Sequence, residues 1–167
     1  IEVLIKAYSN IINKYKDWLL LIVGDYSSDY GQQMIALVEG LGINNKVIFT
    51  GKQQNINDYL NISEVFVLPT LNIGRKEGSP VALLEAMACE KNVLASNISG
   101  IKDQLIAFSN HLIEAGNIEA WEIALGNICN NTNELNKTFS LRDAVSHPAY
   151  HVDTRRSCRC RRGIDEQ

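Results

Sequence analysis

Short β-rich runs alternate along the chain with segments whose apolar residues recur at helical spacing. Val3, Leu4, Ala7, Tyr8, Ile11 and Ile12 open the sequence in a pattern that predicts an amphipathic helix. Strand candidates follow at 18–23, 46–50, 64–68 and 92–95, with a weaker one at 111–113. Helical candidates lie between them near 31–41, 55–62, 80–90, 101–107 and 117–130. The strands are apolar on both faces, which is the pattern of strands covered on both sides. The alternation predicts an α/β fold, a Rossmann-like and mostly parallel sheet with helices on both faces.

The apolar runs are too short to span a membrane. The longest, Trp18 to Val23, falls far below the ~20 residues a spanning helix needs, and no charged segment followed by an apolar stretch marks a leader. The expectation is a soluble chain. It opens at Ile1 without Met, inside a helical pattern, and so is expected to begin mid-domain.

Composition adds little until it is divided. The 167 residues are 46% hydrophobic and 21% charged, ordinary for a single globular domain. At this length roughly 68–70% of the unfolded surface is buried on folding, so a core needs no disulfide or metal staple. The net charge of −3 and pI near 5.6 argue against a nucleic-acid-binding surface, which requires clustered Lys and Arg. Residues 1–141 hold all nine Lys and all seventeen Asn but a single Arg, Arg75, whereas 142–167 hold six Arg, no Lys and no Asn. The first part carries 10 basic and 15 acidic residues, the second 6 and 4. Lys, Asn and Ile use A/T-rich codons and most Arg codons are G/C-rich. We therefore read 1–141 as the domain and 142–167 as a basic, compositionally foreign and poorly ordered tail, from a frameshift, a cloning scar or a chimeric join. The alternative is a natural basic tail for an acidic partner.

In a sheet of this kind ligands sit beyond the carboxyl ends of the strands. Gly24-Asp25-Tyr26 follows the first strand and Gly51-Lys52 the second, where glycine permits a tight turn and close approach to the main chain. Either glycine alone is more simply a turn. The third loop, from Pro69 to Ser79, leads through Glu77-Gly78-Ser79-Pro80 into Val81-Ala82-Leu83-Leu84-Glu85-Ala86-Met87-Ala88. Ser79 suits the N-cap and Pro80 the first helical position. The first-turn amides then form an anion site reinforced by the helix dipole, suited to a phosphate or diphosphate. Glu77 precedes this turn and Glu85 stands about one and a half turns into the helix. Carboxylates repel anions and accept from hydroxyls, so they suit a ribose and a sugar. Val81, Leu84 and Ala88, with Leu83 and Met87, read as core.

The run EGSPVALLEAMA, preceded by VFVLPT and followed by NVLASNISG, resembles the donor-binding signature of the family-four retaining glycosyltransferases, enzymes of GT-B architecture with two Rossmann-like domains. IVGD at 22–25 and VIFTGK at 47–52 resemble two further family blocks in the same order, and the likeness covers about residues 1–135. The resemblance implies a nucleotide-diphosphate sugar as donor substrate and a glycan or lipid-linked acceptor, with no cofactor and no metal. It implies that Glu77 is catalytic and contacts the transferred sugar, and that Glu85 holds the ribose. Gly78, Ser79, Pro80, Val81 and Ala82 would face sugar and diphosphate, Lys52 would lie at the base, and Gly24 and Asp25 would complete the donor site. The plainer reading of Glu77 is a solvated loop carboxylate or a partner of Arg75 and Lys76; that of Glu85 is an exposed helix residue. Ser99-Gly100 with Asp103 resembles a family glycine loop, with Asp103 expected to cap a helix.

The resemblance also implies absences. The family's donor domain begins with one more strand and a basic loop before the helix that opens here, and that strand would be central, between 18–23 and 64–68. One GT-B half-domain lacking its first strand must close the gap or leave backbone groups unpaired. The acceptor-binding N-terminal domain would be absent too, so the fragment alone is expected to be inactive. The implied location is the cytoplasm, at the inner face of the membrane where many relatives meet lipid-linked acceptors; the run Arg155 to Arg162 could make peripheral contact with anionic headgroups. Cys158 and Cys160 are too close for a normal disulfide or zinc pair, and Cys89 reads as a small apolar group. His111, His147 and His151 have no nucleophile arranged near them. The competing function classes are a non-catalytic nucleotide or sugar-phosphate binding module and a GT-B sugar-nucleotide epimerase relative.

Overall fold

A computed structural model describes residues 1–71 and 80–130. The described elements are α1 (Glu2–Ile11), β1 (Leu20–Val23), α2 (Asp29–Gly40), β2 (Val47–Gly51), α3 (Ile56–Ile62), β3 (Val65–Leu68), α4 (Val81–Ala88), β4 (Asn92–Ser96), α5 (Ile101–Gln104), β5 (Leu112–Ile113) and α6 (Ile118–Asn130). The fold is α/β, with parallel strands and intervening helices, as the alternation predicts. The tail 142–167 and the last residues of the 1–141 domain lie outside the described residues.

The strands form two sheets. β1 pairs with β2, and β3 with β4 and then β5, all in parallel register. Among the described residues β1 and β3 do not pair, so the single sheet read from the sequence is divided at that seam. Each strand is followed by a helix that returns the chain, so the strands end along one edge.

Side chains of alternate residues go to opposite faces. Val65 and Val67 of β3 and Leu94 of β4 join Val3, Leu4 and Ala7 of α1 and Trp121, Leu125 and Ile128 of α6. Val93, Ala95 and Phe66 point the other way, into a cluster with Leu60 of α3, Leu83, Ala86 and Met87 of α4, and Ile101 and Leu105. A third cluster sets Ile5, Tyr8 and Ile12 against Met34 and Val38 of α2 and Val47 of β2. Helices α1, α2 and α6 thus cover one face, and α3, α4 and α5 the other. Leu83 and Val93 are fully buried, worth about 1.5–3 kcal/mol each relative to exposure. Leu20 packs at the margin of both α1 clusters, so α1 lies across the seam. The Tyr8 hydroxyl fixes this arrangement by donating to the carbonyls of Trp18 and Lys46, at 2.9 and 3.2 Å. On the opposite side, Leu19 just before β1 and Ile48 of β2 are exposed.

Four local expectations are corrected. Pro80 occupies the N-cap of α4 with extended ψ of 115°, and the first helical residue is Val81; the Ser79 expected as cap lies outside the described residues. Val81 is 65% exposed and not core, because the buried face of α4 is Leu83, Ala86, Met87 and Ala88. Asp103 lies inside the short α5 and caps nothing, the N-cap being Gly100 without a side-chain bond. The helix expected over 101–107 is split: α5 ends at Gln104 and a 3₁₀ turn runs over Ile106–His111, with Phe108 non-helical at φ −131°. That break lets Leu105 stay buried while Ile106 faces solvent. Cys89 packs against the α4 cluster as a half-buried apolar group. His111 is a core residue, its Nδ1 2.7 Å from the Val93 carbonyl.

Candidate functional site

The site is built from the strand ends. β1 shifts register between Ile22 and Val23, so that Val23 faces Gly51 of β2. Gly24, at φ 146°, donates its amide to the Gly51 carbonyl at 3.0 Å, and Gly51 itself turns at φ 73°. Both φ values are left-handed conformations in which glycine carries no steric penalty. The two strands therefore leave the sheet together and bring Gly24, Asp25 and Lys52 to one corner.

The chain beyond Gly24 is a compact turn. The Asp25 carboxylate accepts the Ser27 amide at 2.8 Å, and Ser28 caps α2 by accepting the Gly31 amide at 3.2 Å. Gln32 Nε2 donates to the Tyr26 carbonyl at 2.9 Å. The Tyr26 ring meets Phe49 edge-on, with centroids 5.7 Å apart. Hydrogen bonds from the Ser27 backbone and side chain hold the Asp25 carboxyl below its ordinary range, and the charge of exposed Lys52 adds a smaller push the same way. Asp25 is thus committed to shaping its own loop, while Lys52 extends to solvent.

The second part of the site is the N-terminus of α4. The Pro80 carbonyl accepts the Leu83 amide at 3.2 Å. The Val81 and Ala82 amides have no backbone acceptor among the described residues, as expected at the start of a helix. Both residues are exposed. Glu85 is half-buried on the same helix and its carboxylate makes no hydrogen bond among the described residues. Glu77, Gly78 and Ser79 lie outside the described residues. Of the expected site residues, then, Gly24, Asp25 and Lys52 form one group and Pro80, Val81, Ala82 and Glu85 belong to one helix start.

Sequence reasoning does not single out Ser28 or Gly31, which secure the Asp25 turn. A Cβ on Gly31 would overlap the Tyr26 carbonyl oxygen and stand 2.6 Å from its carbonyl carbon and Cα. The available signal is Ser28 directly before an acidic first helical residue, the ordinary mark of a helix start.

Among the described residues no helix is long and apolar enough to cross a membrane. The parallel α/β scaffold is that of the GT-B glycosyltransferases. Residues 1–142 match the family described as "Glycosyl transferases group 1", and the chain belongs to that family. It is 30% identical over 132 residues to an uncharacterized glycosyltransferase of Haemophilus influenzae, covering 78% of this chain and 36% of the relative. It is 31% identical over 106 residues to the N-acetyl-alpha-D-glucosaminyl L-malate synthase of Bacillus anthracis, covering 62% and 25%. The capsular polysaccharide biosynthesis glycosyltransferase CapH of Staphylococcus aureus is 33% identical over 98 residues, 59% of this chain and 25% of its own. The chain thus matches about a quarter to a third of the length of these relatives. Among solved structures, a TarM variant of S. aureus in complex with UDP, Fondaparinux and alpha-GlcNAc-glycerol superposes with a TM-score of 0.71 at 20% identity, over 86% of this chain and 31% of that one. Anabaena HepE in complex with UDP and glucose gives 0.68 at 19% identity, over 80% and 36%.

Proposed function

We propose that this chain is the donor-binding half of a retaining glycosyltransferase that moves a sugar from a nucleotide-diphosphate sugar to a glycan or lipid-linked acceptor. The observation that carries the reading is the pair of first-turn amides at Val81 and Ala82, which have no backbone acceptor among the described residues, with Glu85 one turn on in the same helix. A helix start that can bind an anion, followed by a carboxylate, suits a diphosphate joined to a polyhydroxyl group. The UDP held by structural neighbours of this fold supports the same reading. Glu85 accepts from the ribose hydroxyls, and the family resemblance assigns the transferred sugar to Glu77 and the sugar and diphosphate to Gly78 and Ser79. Gly24, Asp25 and Lys52 bound the base.

In the reaction the bond from the anomeric carbon to the diphosphate oxygen breaks and the electron pair leaves with the nucleoside diphosphate. The acceptor oxygen bonds to the same face of the oxocarbenium-like sugar and its proton passes to the departing phosphate. The α4 amides act by stabilising the charge that develops on that phosphate, so no metal is required. The acceptor is held by a second domain, and the enzyme works in the cytoplasm at the inner face of the membrane. This polypeptide alone binds donor weakly and does not turn over.

Calorimetric titration with UDP-, GDP- and ADP-sugars, repeated on Glu85→Ala, tests the site. Weak binding to one base class, weakened further by the substitution, is expected. Tight binding indifferent to Glu85→Ala would remove the assignment, and sugar transfer by the chain alone in a radiolabel assay would overturn its incompleteness.

A further inference from the structure

We infer that Gln53, together with Thr50, is a positioning residue for the nucleotide base, holding the main chain of Lys52 in the orientation that meets it; the inference rests on the donor site proposed above.

Three bonds converge on two consecutive carbonyls at the end of β2. Gln53 Nε2 donates to the Thr50 carbonyl at 2.5 Å. The Gly24 amide donates to the Gly51 carbonyl at 3.0 Å. The Thr50 hydroxyl, with one proton to give, lies 3.2 Å from the same Gly51 carbonyl and 3.4 Å from that of Ile22 in β1. Thr50 and Gln53 are half-buried, whereas Lys52 between them and Gln54 and Asn55 beyond are exposed. Gln53 thus turns back onto its own strand end where its neighbours reach into solvent.

These bonds fix the peptide units on either side of Lys52. The Gly51 carbonyl and the Lys52 N–H belong to one planar trans unit, so a carbonyl held against Gly24 and Thr50 points that N–H the opposite way, away from β1. Gly51 turns the chain there at φ 73°. The Gln53 bond closes the loop from Thr50 to Gln53 over Gly51 and Lys52, and so limits the rotation left to the Lys52 carbonyl. Among the described residues neither the amide nor the carbonyl of Lys52 has a hydrogen-bond partner. A donor and an acceptor side by side on one exposed residue are the complement of a base edge, which carries the same two kinds of group. Their directions decide whether the edge fits, and Gln53 and Thr50 set those directions without touching the base.

Titration of the full chain with UDP, GDP, ADP and inorganic diphosphate, followed by amide resonances, tests this. In the parent, the nucleoside diphosphate that binds best is expected to shift the Lys52 amide, and inorganic diphosphate to leave it in place. Gln53→Met, which keeps the length and loses the donor, should weaken that nucleoside diphosphate about tenfold and inorganic diphosphate by less than about twofold. Thr50→Val, which keeps the shape and removes the hydroxyl from the Gly51 carbonyl, should give the same selective loss. Gln54→Met should change neither ligand. A bond that merely stabilised the fold would weaken both ligands alike. Equal losses therefore overturn the assignment, as does a Gln53→Met protein that binds the nucleoside diphosphate like the parent, or a Lys52 amide unmoved by it. A parent that binds none of the three nucleoside diphosphates removes the donor site and this role together.

Discussion

Replacing Gly31 with alanine sets two effects of opposite sign against each other. In the first turn of α2, alanine gains about 0.5–1 kcal/mol of helix propensity over glycine. The added Cβ meets the main chain of Tyr26, with two of the three contacts at 2.6 Å and the third, to the carbonyl oxygen, closer still. No rotamer change relieves a clash with backbone, so either the Asp25 turn or the first turn of α2 must move. Overpacking of this kind costs about 1–3 kcal/mol. The displacement also strains the Ser28 cap, itself worth about 1 kcal/mol. The net expectation is a loss of about 1–3 kcal/mol, read as a lower urea midpoint at unchanged slope. On the proposed donor-binding reading, nucleotide-sugar binding by calorimetry should weaken in parallel, because the turn that moves borders Gly51. Gly126→Ala is the control: its Cβ would meet the Tyr15 hydroxyl at an ordinary 3.5 Å, so α6 gains about 0.5–1 kcal/mol. A Gly31→Ala protein as stable as the parent, alongside a stabilised Gly126→Ala, would refute the close-approach account.

Tyr8→Phe removes the hydroxyl that joins α1 to the Trp18 and Lys46 carbonyls, and should cost about 1–2 kcal/mol in urea melts. Burial pushes the Tyr8 pKa up to about 12. A raised pKa means that the hydroxyl's contribution is intact below the unfolded value of about 10 and is lost as pH rises through the folded one; the Phe variant should lack this alkaline loss. For Asp25 the sign is reversed: its carboxyl is depressed, so the turn holds above the ordinary carboxylate range and opens as pH falls through the lower folded value. The Ser27 amide resonance should report that midpoint, and Asp25→Asn should abolish it. Glu85→Gln should weaken nucleotide-sugar binding by about tenfold or more while leaving the urea midpoint within about 0.5 kcal/mol of the parent.

The elements were legible because the chain obeys its own periodicity. Leu94 and Val93 alternate between two helical layers, and β4, built around the apolar Val93-Leu94-Ala95, is the one strand among the described residues that is buried along its whole length. Strand ends were less legible: Trp18 and Leu19 extend the apolar run but not β1, which begins at Leu20 opposite Val47. Pro80 was misplaced by one position because proline's fixed φ serves the N-cap and the first turn alike, and ψ decides between them. Val81 reads as core in the sequence because helical spacing alone does not say which of two apolar stripes faces the sheet. The corner of Gly24, Asp25 and Lys52 could be read from glycine at two strand ends. The packing of Gly31 on Tyr26 is a contact between main chains, which leaves no pattern in side-chain chemistry.

The position of α1 has a consequence for how the domain comes apart. Its residues contribute to the clusters of both sheets, with Trp18 and Leu20 shared between them. Neither sheet can lose α1 without exposing apolar surface on the other. Two hydrogen-bonded units that could have melted separately are thereby coupled into one cooperative transition, in which calorimetric and van't Hoff enthalpies agree.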